Sequence, residues 1–158
     1  MSLLASVRNE ATFVVQACPG LALAIEQSAL PAQASPAQQL IDQLLQTYTQ
    51  AMGRFGAGPG EIDTLVLGCT HYVFVESAVQ ALLGPQVRLV STGGPVARQT
   101  RRLLVSAQLL HPEDSAKQPP APLLFTTGDL ASLHAAAQRW LGLAADTCQA
   151  VPAPLQAE

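Results

Sequence analysis

The sequence predicts an α/β chain: a mainly parallel sheet flanked by helices. Two observations carry that prediction. Short apolar runs such as 62-IDTLVL-67 and 87-VRLV-90 alternate with longer segments whose apolar residues recur at helical spacing. The 158 residues are 49% hydrophobic with only 12% charged, enough apolar matter for one domain, or one plus part of a second, with a sizeable core.

The elements follow in order. Residues 11-ATFVVQAC-18 read as a buried strand, and Pro19 suits the first position of a helix. After the loop 27-QSALPAQ-33, Ser35-Pro36-Ala37-Gln38 has the form of a capping box. Leu40, Ile41, Leu44, Leu45 and Tyr48 then share one helical face until Gly53 ends it, and 56-GAGPG-60 turns the chain. Residues 62–67 read as a central strand, 72–83 as a helix closed by Gly84-Pro85, and 87–90 as another short strand. Beyond the Gly-rich turn 91-STGGP-95, a helix running to about residue 110 places Val96, Leu103, Leu104 and Ala107 inward. Residues 111-HPEDSAKQPPAP-122 read as a flexible connection, and 123-LLFTT-127 as a strand. A last helix lines up Leu130, Leu133, Trp140 and Leu141, and the Ala/Pro/Gln-rich tail after Gly142 reads as frayed.

Composition excludes several classes of function. A net charge of −3 gives no electrostatic reason to expect nucleic acid. No apolar run approaches the roughly 20 residues that span a bilayer, so no membrane partner is expected. No basic N-terminal region precedes a long apolar core, as a secretory signal would require. The cysteines are Cys18, Cys69 and Cys148, at spacings that match no metal knuckle and no CxxC pair. No metal site and a reduced, cytoplasmic setting are expected.

Gly68-Cys69-Thr70-His71 lies at the carboxyl end of a strand, where parallel sheets place their ligands. Gly68 lets the backbone turn sharply and lets a ligand approach it. Backbone N–H groups at a helix start favour a thiolate and any bound carboxylate. His71 can share a proton with a nearby acid, and Thr70 offers a hydroxyl and an N–H to an anionic ligand. Two readings of Cys69 stay open, a reactive thiol or a small buried hydrophobe. Cys18 has neither acid nor base beside it in sequence and reads as core packing; Cys148 reads as incidental, and His111 and His134 as surface residues. Glu26 is either the solvent edge of a helix or an acid able to orient His71 across the sheet. The run 91-STGGP-95 lacks the glycine spacing of a phosphate cradle.

At 64-TLVLGCTHY-72 the sequence resembles the second catalytic-cysteine segment of the glutamate racemase family, within the aspartate/glutamate racemase superfamily. Residues 17-ACPGLALAIE-26 resemble the family's ACP segment, with an acid at the same offset. Residues 87-VRLVSTGGPVA-97 and 125-FTTGDLASLHAAAQRWLG-142 resemble its later strand and its closing strand and helix. The resemblance covers most of residues 11–142. It implies a cofactor-independent, two-base interconversion of L- and D-glutamate for bacterial peptidoglycan, in which one cysteine thiolate removes the α-proton and another thiol returns one from the opposite face. It implies that Cys69 is one of those thiols, that Thr70 and His71 contact substrate, with His71 also near Cys69, and that Glu26 and Gly68 support them.

The chain also departs from the family. No cysteine is followed by Asn-Thr, no Asp-Ser-Gly occurs, Val73-Phe74 stands where the family has Pro-Leu, and Ser91-Thr92 stands where it has Asp-Ser. The resemblance therefore implies a C-terminal portion, an incomplete two-lobe racemase-like fold: residues 1–91 most of the second lobe, residues 92–158 the segment returning to the first. Alone, such a chain is expected to be inactive, and to self-associate, as a dimer, through apolar surface on 92–158. The alternatives are a related aspartate or hydantoin racemase, a one-cysteine decarboxylase, or a truncated protein without turnover.

Overall fold

The computed structural model describes residues 11–110 and 121–152. Its core forms where two helices meet. Helix α1 (Leu21–Ser28) buries Leu21, Ala24, Ile25 and Ser28. Helix α2 (Ala34–Met52) buries Ala37, Ile41, Leu45 and Thr49, four residues apart each time and so on one stripe. Val75 and Val79 close the cluster, with Cys18, Tyr48, Tyr72 and Trp140 packed against it. Each fully buried Leu or Ile contributes about 1.5–3 kcal/mol by leaving water, so this pair of helices is the anchor of the structure.

The start of the chain differs from expectation. Residues 11–18 form no strand, and Val14 and Val15 are exposed. Among the described residues no ladder partner takes up their backbone groups; the Gln16 amide donates to Ala17 O and the Cys18 thiol to Gln16 O, both local bonds. Pro19 does not open α1. Gly20 precedes Leu21 in the left-handed region at φ 80°, which glycine adopts at no steric cost. Nor does Ser35 cap α2, because the helix already begins at Ala34. Pro36 then falls within the first turn, where its missing N–H has no intrahelical partner to lose. Gln38 reaches forward to Asp42, 3.0 Å away. Gly53 ends α2 as expected.

Strand β1 (Thr64–Leu67) pairs in parallel with β2 (Arg88–Ser91), Leu65 opposite Leu89 and Val66 opposite Val90. Between them run a 3₁₀ turn (Tyr72–Val75) and helix α3 (Glu76–Leu83). Ile62 stays outside β1, bridged to Phe55. The strand is neither central nor buried: only Leu67 is covered, and Val66 is 61% exposed. Helix α4 (Gly93–Ser106) forms where expected, but none of its residues is buried. Val96, Leu103 and Leu104, predicted inward, are exposed because nothing described lies over their stripe.

Strand β3 (Leu124–Thr126) leads to helix α5 (Leu130–Ala136), which Asp129 caps by accepting from the Ser132 N–H at 2.7 Å. A π turn (Ala137–Leu141) follows and ends at Gly142. Leu141 is exposed, while Trp140 stacks on Phe74 at 5.0 Å between ring centres. The expected frayed tail instead holds β4 (Cys148–Ala150), parallel to β3, and Cys148 is buried. That pairing is made by tertiary contact, and no local pattern announces it. His134 is half-buried rather than a surface residue, with its Nε2 shielded from solvent. His111 and the connection at 111–120 lie outside the described residues.

The architecture is thus α/β with parallel strands flanked by helices, as predicted, but the described strands form two separate two-stranded sheets. Among the described residues no helix is long and apolar enough to cross a membrane.

Candidate active site

β1 delivers its carboxyl end into a tight turn. The Tyr72 N–H donates to Cys69 O at 3.2 Å and the Phe74 N–H to His71 O at 3.1 Å, so residues 69–74 wind directly into the 3₁₀ turn. This winding points the Cys69 and His71 side chains the same way, with Cys69 Sγ 3.7 Å from His71 Nδ1. The other ring nitrogen, Nε2, lies 2.7 Å from Glu26 Oε1 of α1. Two segments 45 residues apart therefore meet as the sequence predicts, and three side chains form one line: thiol, imidazole, carboxylate.

The chemistry of that line follows from the ring's two nitrogens. With its proton on Nε2, the imidazole donates to Glu26 and presents the Nδ1 lone pair to the Cys69 thiol. Glu26 then holds the tautomer and stabilises the imidazolium when His71 accepts a proton, the logic of an oriented base beside a nucleophile. The line is open to water: the His71 and Glu26 side chains are 32% and 60% exposed. Thr70 is exposed at the tip of the turn. Gly68 does not do what the sequence suggests for turning. Its φ lies outside the left-handed region, and a Cβ there would meet nothing within 4 Å. What it leaves is open space beside Cys69.

Several participants carry no signal that sequence alone could isolate. Burial, with the Cys18 thiol as a second cause, pushes the Tyr72 phenol up to about 12. Burial pushes the Cys18 thiol up as well, with Tyr72 opposing and Cys69 adding to the rise. Cys18 is packed against the core, as expected. A cavity of about 450 Å³ is lined by His71 and Glu26 together with Phe74, Trp140, Thr126 and Asp129. Arg139 lies over the Trp140 ring, 4.8 Å from its centre. Among the described residues no group of three or more His, Cys, Asp or Glu could hold a metal ion.

The thiol–imidazole–carboxylate line thus sits at a parallel strand end on an α/β frame. Comparison with known proteins gives the particular kind. The chain is a relative of the glutamate racemases. It is 40% identical to that of Herpetosiphon aurantiacus over 113 residues, 72% of this chain and 40% of the relative. It is 36% identical to that of Ectopseudomonas mendocina over 142 residues, 89% of this chain and 48% of the relative. The crystal structure of glutamate racemase isoform RacE1 from Bacillus anthracis superposes with a TM-score of 0.73 at 25% identity, covering 99% of this chain and 52% of that one. No family model matches the chain. The chain spans less than half the length of these two curated relatives, coverage that fits a C-terminal portion.

Proposed function

We propose that this chain is the C-terminal portion of a glutamate racemase and carries one of its two acid/base thiols at Cys69. The observation that carries the proposal is the Cys69–His71–Glu26 line in a chain similar to glutamate racemases over 63–89% of its length. In the reaction, the Cys69 thiolate takes the α-proton of glutamate on one face, or as a thiol returns a proton to the carbanion-like centre. A second thiol does the converse on the other face. His71 accepts or supplies the Cys69 proton, and Glu26 holds the imidazole. Thr70, with its exposed hydroxyl, and the open space over Gly68 receive the substrate carboxylate. No cofactor enters this scheme. Residues 1–91 supply most of one lobe, and 92–158 return to complete the other, whose surface would cover α4. The product, D-glutamate, serves peptidoglycan synthesis and so cell-wall shape, in the cytoplasm.

Alone, the chain offers one motif-matched thiol and a wet site, so it is expected not to turn over and to pair with itself through the uncovered stripe of α4. The test is a chimera in which this chain replaces the matching portion of the Ectopseudomonas mendocina relative, assayed by chiral chromatography from L- and from D-glutamate. The chimera should racemise glutamate, its Cys69→Ala variant should not, and the chain alone should not. A Cys69→Ala chimera as active as its parent would refute the assignment.

A further inference from the structure

We infer that Trp140 is a positioning residue for His71, acting through the stack of its ring on Phe74. The inference rests on the reading of Cys69, His71 and Glu26 as the acid/base line.

Phe74 is the link to His71. It lies three residues further along, and in a 3₁₀ turn side chains at that spacing eclipse one another. His71 precedes the turn Tyr72–Val75, and the Phe74 N–H donates to His71 O at 3.1 Å. Both side chains accordingly line the same cavity, together with Glu26 of α1. Whatever fixes the Phe74 ring therefore fixes the direction in which His71 leaves the turn.

Trp140 is placed to do that. The two ring centres are 5.0 Å apart with 22° between the planes, and both rings pack against the core cluster. The backbone is adapted to this placement. The sequence aligns Trp140 and Leu141 along one side of a helix, yet Trp140 packs inward while Leu141 is 55% exposed. A π turn over Ala137–Leu141 sets that offset, with the Gly142 N–H donating to Ala137 O; such turns are rare and cluster at functional sites. The other support of the imidazole, its contact with Glu26, has side chains 32% and 60% exposed and is too open to water to hold the ring by itself. The turn that carries His71 is thus held at two points, by Glu26 at its wet end and by Trp140 at its apolar end. The second point also ties it to the 92–158 segment.

The test compares Trp140→Leu, Phe74→Leu, the double variant and Trp140→Phe, all in the chain as it stands. Two readouts are used: hydrogen exchange at the amide of position 74, and the ¹⁵N signals of the His71 ring. Leu keeps apolar bulk and removes the stack. Trp140→Leu and Phe74→Leu should each speed exchange about two- to tenfold, the factor set by one aromatic pair. The double variant should go no further, because both changes remove the same contact. Trp140→Phe keeps a ring there and should stay near the parent. In the first three, the His71 signals should move from a single Nε2-protonated tautomer toward a mixture. Ile41→Val trims the core, leaves both rings in place and should not move those signals. Additive effects, a Trp140→Phe that behaves like Trp140→Leu, faster exchange with unchanged His71 signals, or an equal shift in Ile41→Val would each overturn the inference. None of these readouts involves turnover, so failure here is distinct from failure of the Cys69→Ala chimera.

Discussion

Leu103 and Ile41 are both apolar side chains on amphipathic helices, yet truncating them should have opposite consequences. Ile41 of α2 is 0% exposed at the centre of the helix pair. Ile41→Ala removes buried methyl groups and leaves a cavity, which costs about 2–5 kcal/mol. Leu103 of α4 is 59% exposed on a helix with no buried residue. Leu103→Ala in the monomer forfeits almost no burial, and Ala propagates helix slightly better than Leu, so the change should stay within about 0.5 kcal/mol. Urea unfolding at low micromolar protein gives both numbers, read from the midpoint at unchanged slope. Light scattering on the same samples supplies the second half of the contrast. If the stripe of Val96, Leu103 and Leu104 is where the chain pairs with itself, Leu103→Ala should raise the concentration at which dimer appears, whereas Ile41→Ala should not. A loss above about 1.5 kcal/mol for Leu103→Ala in dilute monomer would show that α4 is packed in solution, and would refute the argument for an uncovered face.

Three further outcomes follow from the site. Glu26→Gln should lower kcat of the chimera by about 10- to 100-fold, the size seen when the partner orienting a functional imidazole is neutralised, while leaving thermal stability nearly unchanged because the contact is exposed; unchanged kcat would remove Glu26 from the scheme. Gly68→Ala should be tolerated in stability, since a Cβ meets open space there, whereas Gly20→Ala, at φ 80°, should cost about 1–2 kcal/mol; equal Tm values would contradict the backbone assignment. Tyr72 has a folded pKa of about 12 against an ordinary 10.0, so the folded state holds its proton where the unfolded state has lost it. Its stabilising contribution is complete below pH 10 and is lost as pH rises toward 12. Chemical denaturation from pH 9 to 12 should show that slope, and Tyr72→Phe should flatten it.

The parts of this structure that were legible in the sequence are those with a local cause. The stripe from Ala37 to Thr49 repeats every four residues, so α2 declares itself, and Gly53 marks its end. Gly68-Cys69-Thr70-His71 advertises a strand end because small and functional residues replace apolar ones at one step. What was illegible depends on partners distant in sequence. Residues 11–18 carry a strand's composition but find no ladder, and 148–150 carry none yet pair with β3. Cys18 showed no acid or base among its sequence neighbours, and Tyr72, which acts on its thiol, is 54 residues away. Glu26 stood undecided between solvent edge and orienting acid, and it is both exposed, at 60%, and 2.7 Å from His71.

The openness of the line bears on what the site needs. A carbanion-like centre next to a carboxylate is stabilised only where fixed dipoles replace water, because a charge interaction weakens severalfold as the effective dielectric rises from about 20 near a protein surface to about 80 in water. Here the imidazole and carboxylate are wet, with open space over Gly68 and an apolar stripe on α4 that no described residue covers. If Cys69 acts as proposed, its chemistry and the burial of α4 ask for the same thing, a surface that closes over this face and brings a second proton donor with it. The part of the relatives that this chain does not match, more than half of the Herpetosiphon aurantiacus protein, is long enough to supply both. On the proposed reading, closure by that surface would exclude water from the half-buried Cys69 thiol and the His71 imidazole, where a proton is to leave or rejoin the α-carbon.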